Sequence, residues 1–213
     1  MNVSVILSGG TGTRFGNDLP KQYSMLCGKE IIGYVANSLK QSSQSNKTLI
    51  VSAEKDMERL SAAYGTECTV GGDTHNASVK NGLDHIKSNY PNCKKVLFAD
   101  AARPFLASNT VDEYFAMLDD FDAVITAKHI TDSLGCDGKQ FVDRSPYYLI
   151  QKPEAFCFEM LYNSFSANSS ATAIVQQIPL NAKIKKNFIT GYNLKITYPS
   201  DLPLAEYMIR EGK

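Results

Sequence analysis

The sequence predicts an α/β fold: a mostly parallel, twisted sheet with helices on both faces, plus a projecting β-arm. Three observations carry this. Short β-branched runs alternate with stretches of helical periodicity over most of the chain. The first run, Val3 to Ser8, opens directly into a Gly-rich loop reaching about Gln22. The rhythm then breaks after Ile130, where Thr131 to Ile150 mixes Gly, Asp, Ser and Pro with short β-prone pieces.

Taken in order, Glu30 to Gln41 carries Ile31, Ile32, Val35 and Leu39 at helical spacing. Thr48 to Ser52 reads as a strand, Ala53 to Tyr64 as a helix and Glu67 to Val70 as a short strand. Gly71-Gly72-Asp73 breaks the chain before a helix from Asn76 to Lys87. Lys95 to Ala99 is a strand with Asp100 at its carboxyl end, and Ser108 is a candidate N-cap for a helix to Leu118. Ala123 to Ile130 is the next strand. In the arm, Gln140 to Val142 and Tyr147 to Ile150 are the β-prone pieces. Pro153 to Asn163 reads as a helix begun by proline. Ala182 to Phe188 and Leu194 to Thr197 read as strands, and Asp201 to Glu211 as the closing helix. Sheets of this kind bind ligands at the carboxyl ends of their strands, where the loops after Ser8, Val70 and Ala99 fall.

The 213 residues fit one domain over 1–213, with 131–150 as an arm suited to dimerisation. Lysine plus arginine equals aspartate plus glutamate at 22 each. That balance argues against a nucleic-acid or membrane-surface partner, which calls for basic excess. Anion binding must come from locally placed cations. The five cysteines are scattered without a C-x-x-C pair, and the three histidines are dispersed. Both patterns suit reduced thiols in a cytoplasmic protein and disfavour a disulfide frame or zinc cluster. No signal peptide precedes the first strand, and its apolar run is too short to span a bilayer.

The loop Ser8-Gly9-Gly10-Thr11-Gly12-Thr13-Arg14, followed by Pro20-Lys21-Gln22, has the chemistry of a phosphate cradle. Glycines let backbone N–H groups approach a triphosphate, and Arg14 and Lys21 add fixed positive charge. A tight turn alone does not need two cations. The dinucleotide fingerprint fits poorly, because Gly16 falls one residue late after Gly10-x-Gly12 and no acid follows at ribose distance. The P-loop pattern is absent. A nicotinamide-dependent reductase is therefore disfavoured, and a nucleotide sensor without catalysis stays as the rival of another class.

Six ordered motifs carry a resemblance over nearly the whole chain. They are Gly-Gly-x-Gly-x-Arg with Pro20-Lys21-Gln22-Tyr23; Gly71-Gly72-Asp73 running to Ser78-Val79 and Gly82-Leu83; Asp100-Ala101-Ala102-Arg103-Pro104; Thr131-Asp132-Ser133; Asn193-Leu194-Lys195-Ile196-Thr197; and Asp201-Leu202 with Ala205-Glu206. The chain resembles the CTP-dependent polyol-phosphate cytidylyltransferases, which include the ribitol-5-phosphate and methylerythritol-phosphate enzymes.

The resemblance implies a Rossmann-like nucleotidyltransferase fold and CMP transfer from CTP to a small polyol phosphate. It implies Arg14, Lys21 and Lys195 as catalytic cations. Ser8, Gly9, Gly10, Gly12, Gly72, Asp73, Ser78, Asp100 and Arg103 would form the nucleotide site. Asp132, Ser133 and Arg144 would bind the acceptor. Asp100 would hold Mg²⁺ or another divalent cation, and the arm would cross to a second subunit of a homodimer. Three places depart from the pattern: His75 where arginine is expected, Lys152-Pro153-Glu154 where Thr-Pro-Gln is expected, and a degenerate segment at about Ser169 to Ile174. All three fall on the acceptor side, so the reaction is better defined than the acceptor. The Gly-rich loop favours ribitol 5-phosphate, with methylerythritol phosphate as the alternative.

Overall fold

The computed structural model describes residues 1–10, 15, 20–188 and 192–212. The expected α/β architecture is present. The strands β1 (Asn2–Leu7), β4 (Lys47–Ser52), β5 (Glu67–Val70) and β6 (Lys95–Asp100) run parallel, and β7 (Ala123–His129) pairs in parallel with β9 (Ile184–Phe188). Between them β8 (Tyr148–Cys157) runs antiparallel to both β6 and β7. The seven-stranded order is β5-β4-β1-β6-β8-β7-β9. A small hairpin, β2 (Met25–Leu26) and β3 (Lys29–Glu30), turns through Cys27 at φ 47° and Gly28 at φ 80°. Two successive positive φ values give the twist that a tight hairpin needs.

Side-chain alternation sorts each strand's residues between two layers. Val3, Val5, Leu49, Val51, Val96 and Phe98 pack under α3 (His75–Asn89) and α5 (Phe158–Ser164). Ile6, Ile50, Leu97, Ala99 and Val124 pack under α1 (Ile31–Gln41), α2 (Glu54–Tyr64) and α4 (Ser108–Met117). Both faces are covered, which is why these strands read as continuous apolar runs. A third cluster joins Phe15, Leu26, Ile31 and Ile196 to Ala205 of α6 (Asp201–Arg210). No helix among the described residues is long and apolar enough to cross a membrane.

Four expectations need correction. Pro153 lies inside β8 after a cis peptide bond, and the helix expected from it starts at Phe158. Burial explains the difference: Ala155 and Phe156 belong to opposite faces of the sheet, so they alternate as a strand does. Ser108 is the first helical residue of α4, and the cap position belongs to Ala107. Leu194 to Thr197 forms no strand. The arm is irregular over 131–147, with a single bridge between Cys136 and Lys139 at its tip and no strand at 140–142. It springs from the long β7–β8 hairpin, whose last pair is His129 with Tyr148.

Candidate active site

The loops that leave β1, β5 and β6 converge on a cleft of about 380 Å³ at the carboxyl edge of the sheet. Backbone bonds carry the ladder past the strand ends: Ser8 N to Val51 O (2.8 Å), Gly71 N to Ser52 O (2.7 Å) and Ala101 N to Leu7 O (3.1 Å). Each loop therefore starts from a fixed point. Ser8, Gly9, Gly10, Lys21, Gly72, Asp73, Ser78, Asp100 and Lys195 all border this cleft, as the sequence leads one to expect. Arg14 and Gly12 lie outside the described residues.

Gln22 ties down the start of the Gly-rich loop at Ser8 and Gly10. Its side chain is buried and its Nε2 donates to Ser8 O (2.7 Å) and Gly10 O (3.2 Å). The 3-10 turn Lys21–Tyr23 places Gln22 inward and Lys21 at the cleft. Gln22 stands in the Pro-Lys-Gln motif, but nothing beside it in the sequence marks its amide as a tie for carbonyls 14 and 12 residues away.

Ser78 closes the second loop. Its hydroxyl accepts from Gly72 N (3.0 Å) and donates to Gly72 O (3.2 Å). A side chain on Gly71 would reach within 3.1 Å of that hydroxyl, and one on Gly72 within 2.4 Å of Ala77 Cβ. Only glycine fits at Gly72 without a backbone shift. The Ser78 hydroxyl thus holds the turn in shape. Thr74 caps α3 by accepting from Ala77 N (3.0 Å), which seats His75 and the helix start on the cleft wall.

Asp100 is the electrostatic centre. Its Oδ2 meets Lys195 Nζ at 3.0 Å and Arg103 Nε at 3.2 Å. Burial pushes its pKa upward, but Lys195, Lys152 and Arg103 together outweigh burial and hold it down to about 2. The carboxylate is ionised at any working pH. Enclosure by the cleft walls lowers the pKa of His75 to about 4, helped by Lys152 and Lys195 and opposed by Asp100. His75 is itself exposed, so solvent tempers that shift. The position where arginine is expected therefore carries a neutral ring.

Asp132, Ser133 and Arg144 are not among the residues that line this cleft in the same chain. They sit on the arm, where the Arg144 guanidinium donates to Thr131 O. Lys152 pairs with Glu154, Glu154 accepts from Val175 N, and Asn76 Nδ2 donates to Ser169 O (2.8 Å) and Ala171 O (2.9 Å). Asn76 follows His75 on α3, and Lys152 is near enough to His75 to help lower its pKa.

A divalent cation fits one feature. Asp100 is a single ionised carboxylate at a strand end, facing a cleft that also carries phosphate-type donors. Among the described residues no group of three acidic, histidine or cysteine side chains forms a cage. One carboxylate completed by substrate phosphates is how magnesium is commonly held.

The model of the family "IspD: 2-C-methyl-D-erythritol 4-phosphate cytidylyltransferase" matches residues 2–211. The enzyme of that name from Azobacteroides pseudotrichonymphae is 31% identical, over 96% of this chain and 97% of its own length. Its counterpart from Cereibacter sphaeroides is 29% identical, over 97% and 96%. The crystal structure of 4-diphosphocytidyl-2C-methyl-D-erythritol synthase from Anaerococcus prevotii superposes with a TM-score of 0.82 at 21% identity, covering 98% of this chain and 96% of that one, and so shares the fold. These relatives give the ribitol preference no support. That preference rests on the Gly-rich loop, and a phosphate-cradling loop reads phosphates whatever the acceptor's carbon skeleton. The chain belongs to the 2-C-methyl-D-erythritol 4-phosphate cytidylyltransferase (IspD) family and is a CTP-dependent nucleotidyltransferase.

Proposed function

We propose that the protein transfers CMP from CTP to 2-C-methyl-D-erythritol 4-phosphate and releases pyrophosphate. The observation that carries the chemistry is the Lys195–Asp100 pair, which shares one cleft with Lys21 and the first glycines of the Gly-rich loop, while the buried Arg103 braces Asp100 from outside that lining. The family and its named relatives support the acceptor.

The acceptor phosphate is already anionic, so the reaction needs no general base. One of its oxygens forms a bond to the α-phosphorus of CTP as the bond to the β-phosphate bridging oxygen breaks. The electron pair leaves with pyrophosphate. Catalysis is then placement plus neutralisation of charge on the α-phosphate. Lys21 and Lys195 supply that charge from the two sides of the cleft. Asp100 orients Lys195 and would hold the divalent cation, which when bound shields the triphosphate. The Gly72 turn, shaped by Ser78, offers main-chain groups for a base edge.

The reading includes a two-fold homodimer in the cytoplasm. A projecting arm is marginal alone in water, and Phe141, Tyr147 and Leu149 stand exposed on it. Arg144, with its neighbour Asp143, would then serve the partner's acceptor site.

A pyrophosphate-release assay with CTP, Mg²⁺ and a panel of polyol phosphates tests the acceptor. Methylerythritol phosphate should give the highest kcat/KM, by at least about tenfold over ribitol 5-phosphate. The reverse order would overturn it.

A further inference from the structure

Lys195 lies in a stretch with no ladder to hold it, because 192–197 form no strand. Its side chain is 42% exposed, yet its ammonium sits 3.0 Å from Asp100. Something must fix the backbone beneath it. On one side Ile196 N donates to Ala102 O (2.9 Å). On the other, Asn193 makes three contacts. Its carbonyl accepts from Arg103 Nη1 (2.5 Å), and its Nδ2 donates to Gln151 Oε1 (3.0 Å) and to Lys152 O (2.8 Å).

The Lys152 carbonyl is available for a reason. The β7–β8 ladder pairs Ile125 with Glu154 and then Thr126 with Gln151, so Lys152 and Pro153 bulge out of register. Bulges recur beside active sites because they redirect groups out of the ladder. This one is tied down on every side. Pro153 O accepts from Thr126 Oγ1 (2.8 Å), which contacts Tyr114 Oη (2.6 Å), and Lys152 Nζ is held by Glu154. Asn193 thus joins a rigid bulge in the sheet to the residue two places before Lys195. The same residue receives Arg103, which also binds Asp100.

We propose that Asn193 is a positioning residue for the Lys195 charge, clamping the segment that carries it between the β8 bulge and Arg103 so that the ammonium stays beside Asp100. The role is one step removed from substrate, and it rests on reading the cleft as a cytidylyl-transfer site.

A double-mutant cycle on the full chain tests it with two readouts: turnover of CTP with methylerythritol phosphate, and thermal stabilisation by CTP with Mg²⁺, which needs no acceptor. Asn193→Ala should lower kcat by about tenfold to a hundredfold in the native background. In a Lys195→Ala background the same change should cost less than about twofold, because the charge it positions is gone. Stabilisation by CTP should follow the same pattern, whereas the melting temperature without ligand should fall equally in both backgrounds. A purely structural asparagine would lower activity by the same factor in both. That result, or no loss in the native background, overturns the proposal. If Asn193→Ala does not fold, Asn193→Ser, which keeps a short donor, goes through the same cycle. If the native protein does not turn over methylerythritol phosphate, the acceptor assignment fails, and the CTP-stabilisation cycle still decides the role of Asn193.

Discussion

Lys152 Nζ and Glu154 Oε1 lie 2.9 Å apart on either side of Pro153, with side chains 8% and 1% exposed. The second oxygen of Glu154 accepts from Val175 N at 3.2 Å. The pair stands where the family resemblance leads one to expect threonine and glutamine. Removing one member of an enclosed pair leaves the other charge without a partner. Lys152→Met should destabilise the protein by about 3–5 kcal/mol. Lys152→Met with Glu154→Gln should recover most of that loss, since no charge is stranded and Val175 N keeps its acceptor. Denaturant unfolding of the two variants checks this; equal destabilisation would contradict it.

His75 should stay neutral well below the ordinary histidine range. Its lowered pKa means that the folded state binds the proton more weakly than the unfolded chain. The contribution to stability is complete above the unfolded value near 6.5 and is lost as pH falls toward 4. An NMR titration of the imidazole, assigned with His75→Gln, should give a midpoint below about 5.5. A midpoint at or above the ordinary histidine value would show that solvent in the cleft cancels the effect of enclosure and of Lys152 and Lys195.

Gly72→Ala should damage the nucleotide side. The added methyl would fall 2.4 Å from Ala77 Cβ, so the turn or the first turn of α3 must move. A destabilisation of about 1–3 kcal/mol is expected, together with a smaller rise in melting temperature on adding CTP. Undiminished stabilisation by CTP would mean that the Gly72 turn does not touch the nucleotide.

The homodimer reading predicts complementation between defective chains. Lys21→Ala and Arg144→Ala protomers, each nearly inactive alone, should regain activity after subunit exchange. A mixed dimer then carries one site with both defects and one intact site. Confirmed exchange without recovery would confine Arg144 to its own chain, where it already bonds Thr131 O.

Much of this was legible in the residues. Strands β1, β4, β6 and β7 are buried on both faces, so they read as apolar runs, and the loops at their carboxyl ends could be located from the sequence. Lys21 and Asp100 were legible because each sits in a motif that holds Pro or Asp beside a loop, whereas Lys195 was legible only through the resemblance of Asn193-Leu194-Lys195-Ile196-Thr197 to the family pattern. The β8 strand was not, because Pro153 carries the signature of a helix start, and only the pairing with β6 and β7 overrides it. The roles of Gln22 and Asn193 were also hidden. Each acts through carbonyl groups that are distant in sequence, and nothing local marks an amide side chain as a clamp. Ser78 borders the cleft, and its hydroxyl is engaged by the Gly72 backbone, which no local pattern announces.

The most direct test of the central claim is a ³¹P NMR time course of the protein with CTP, Mg²⁺ and methylerythritol phosphate. The account predicts that the acceptor monoester signal falls while a new diphosphate diester pair and pyrophosphate rise in equal amounts, and that Lys195→Ala slows all three changes together. Release of CMP with the acceptor untouched, or a diester formed from ribitol 5-phosphate but not from methylerythritol phosphate, would contradict it.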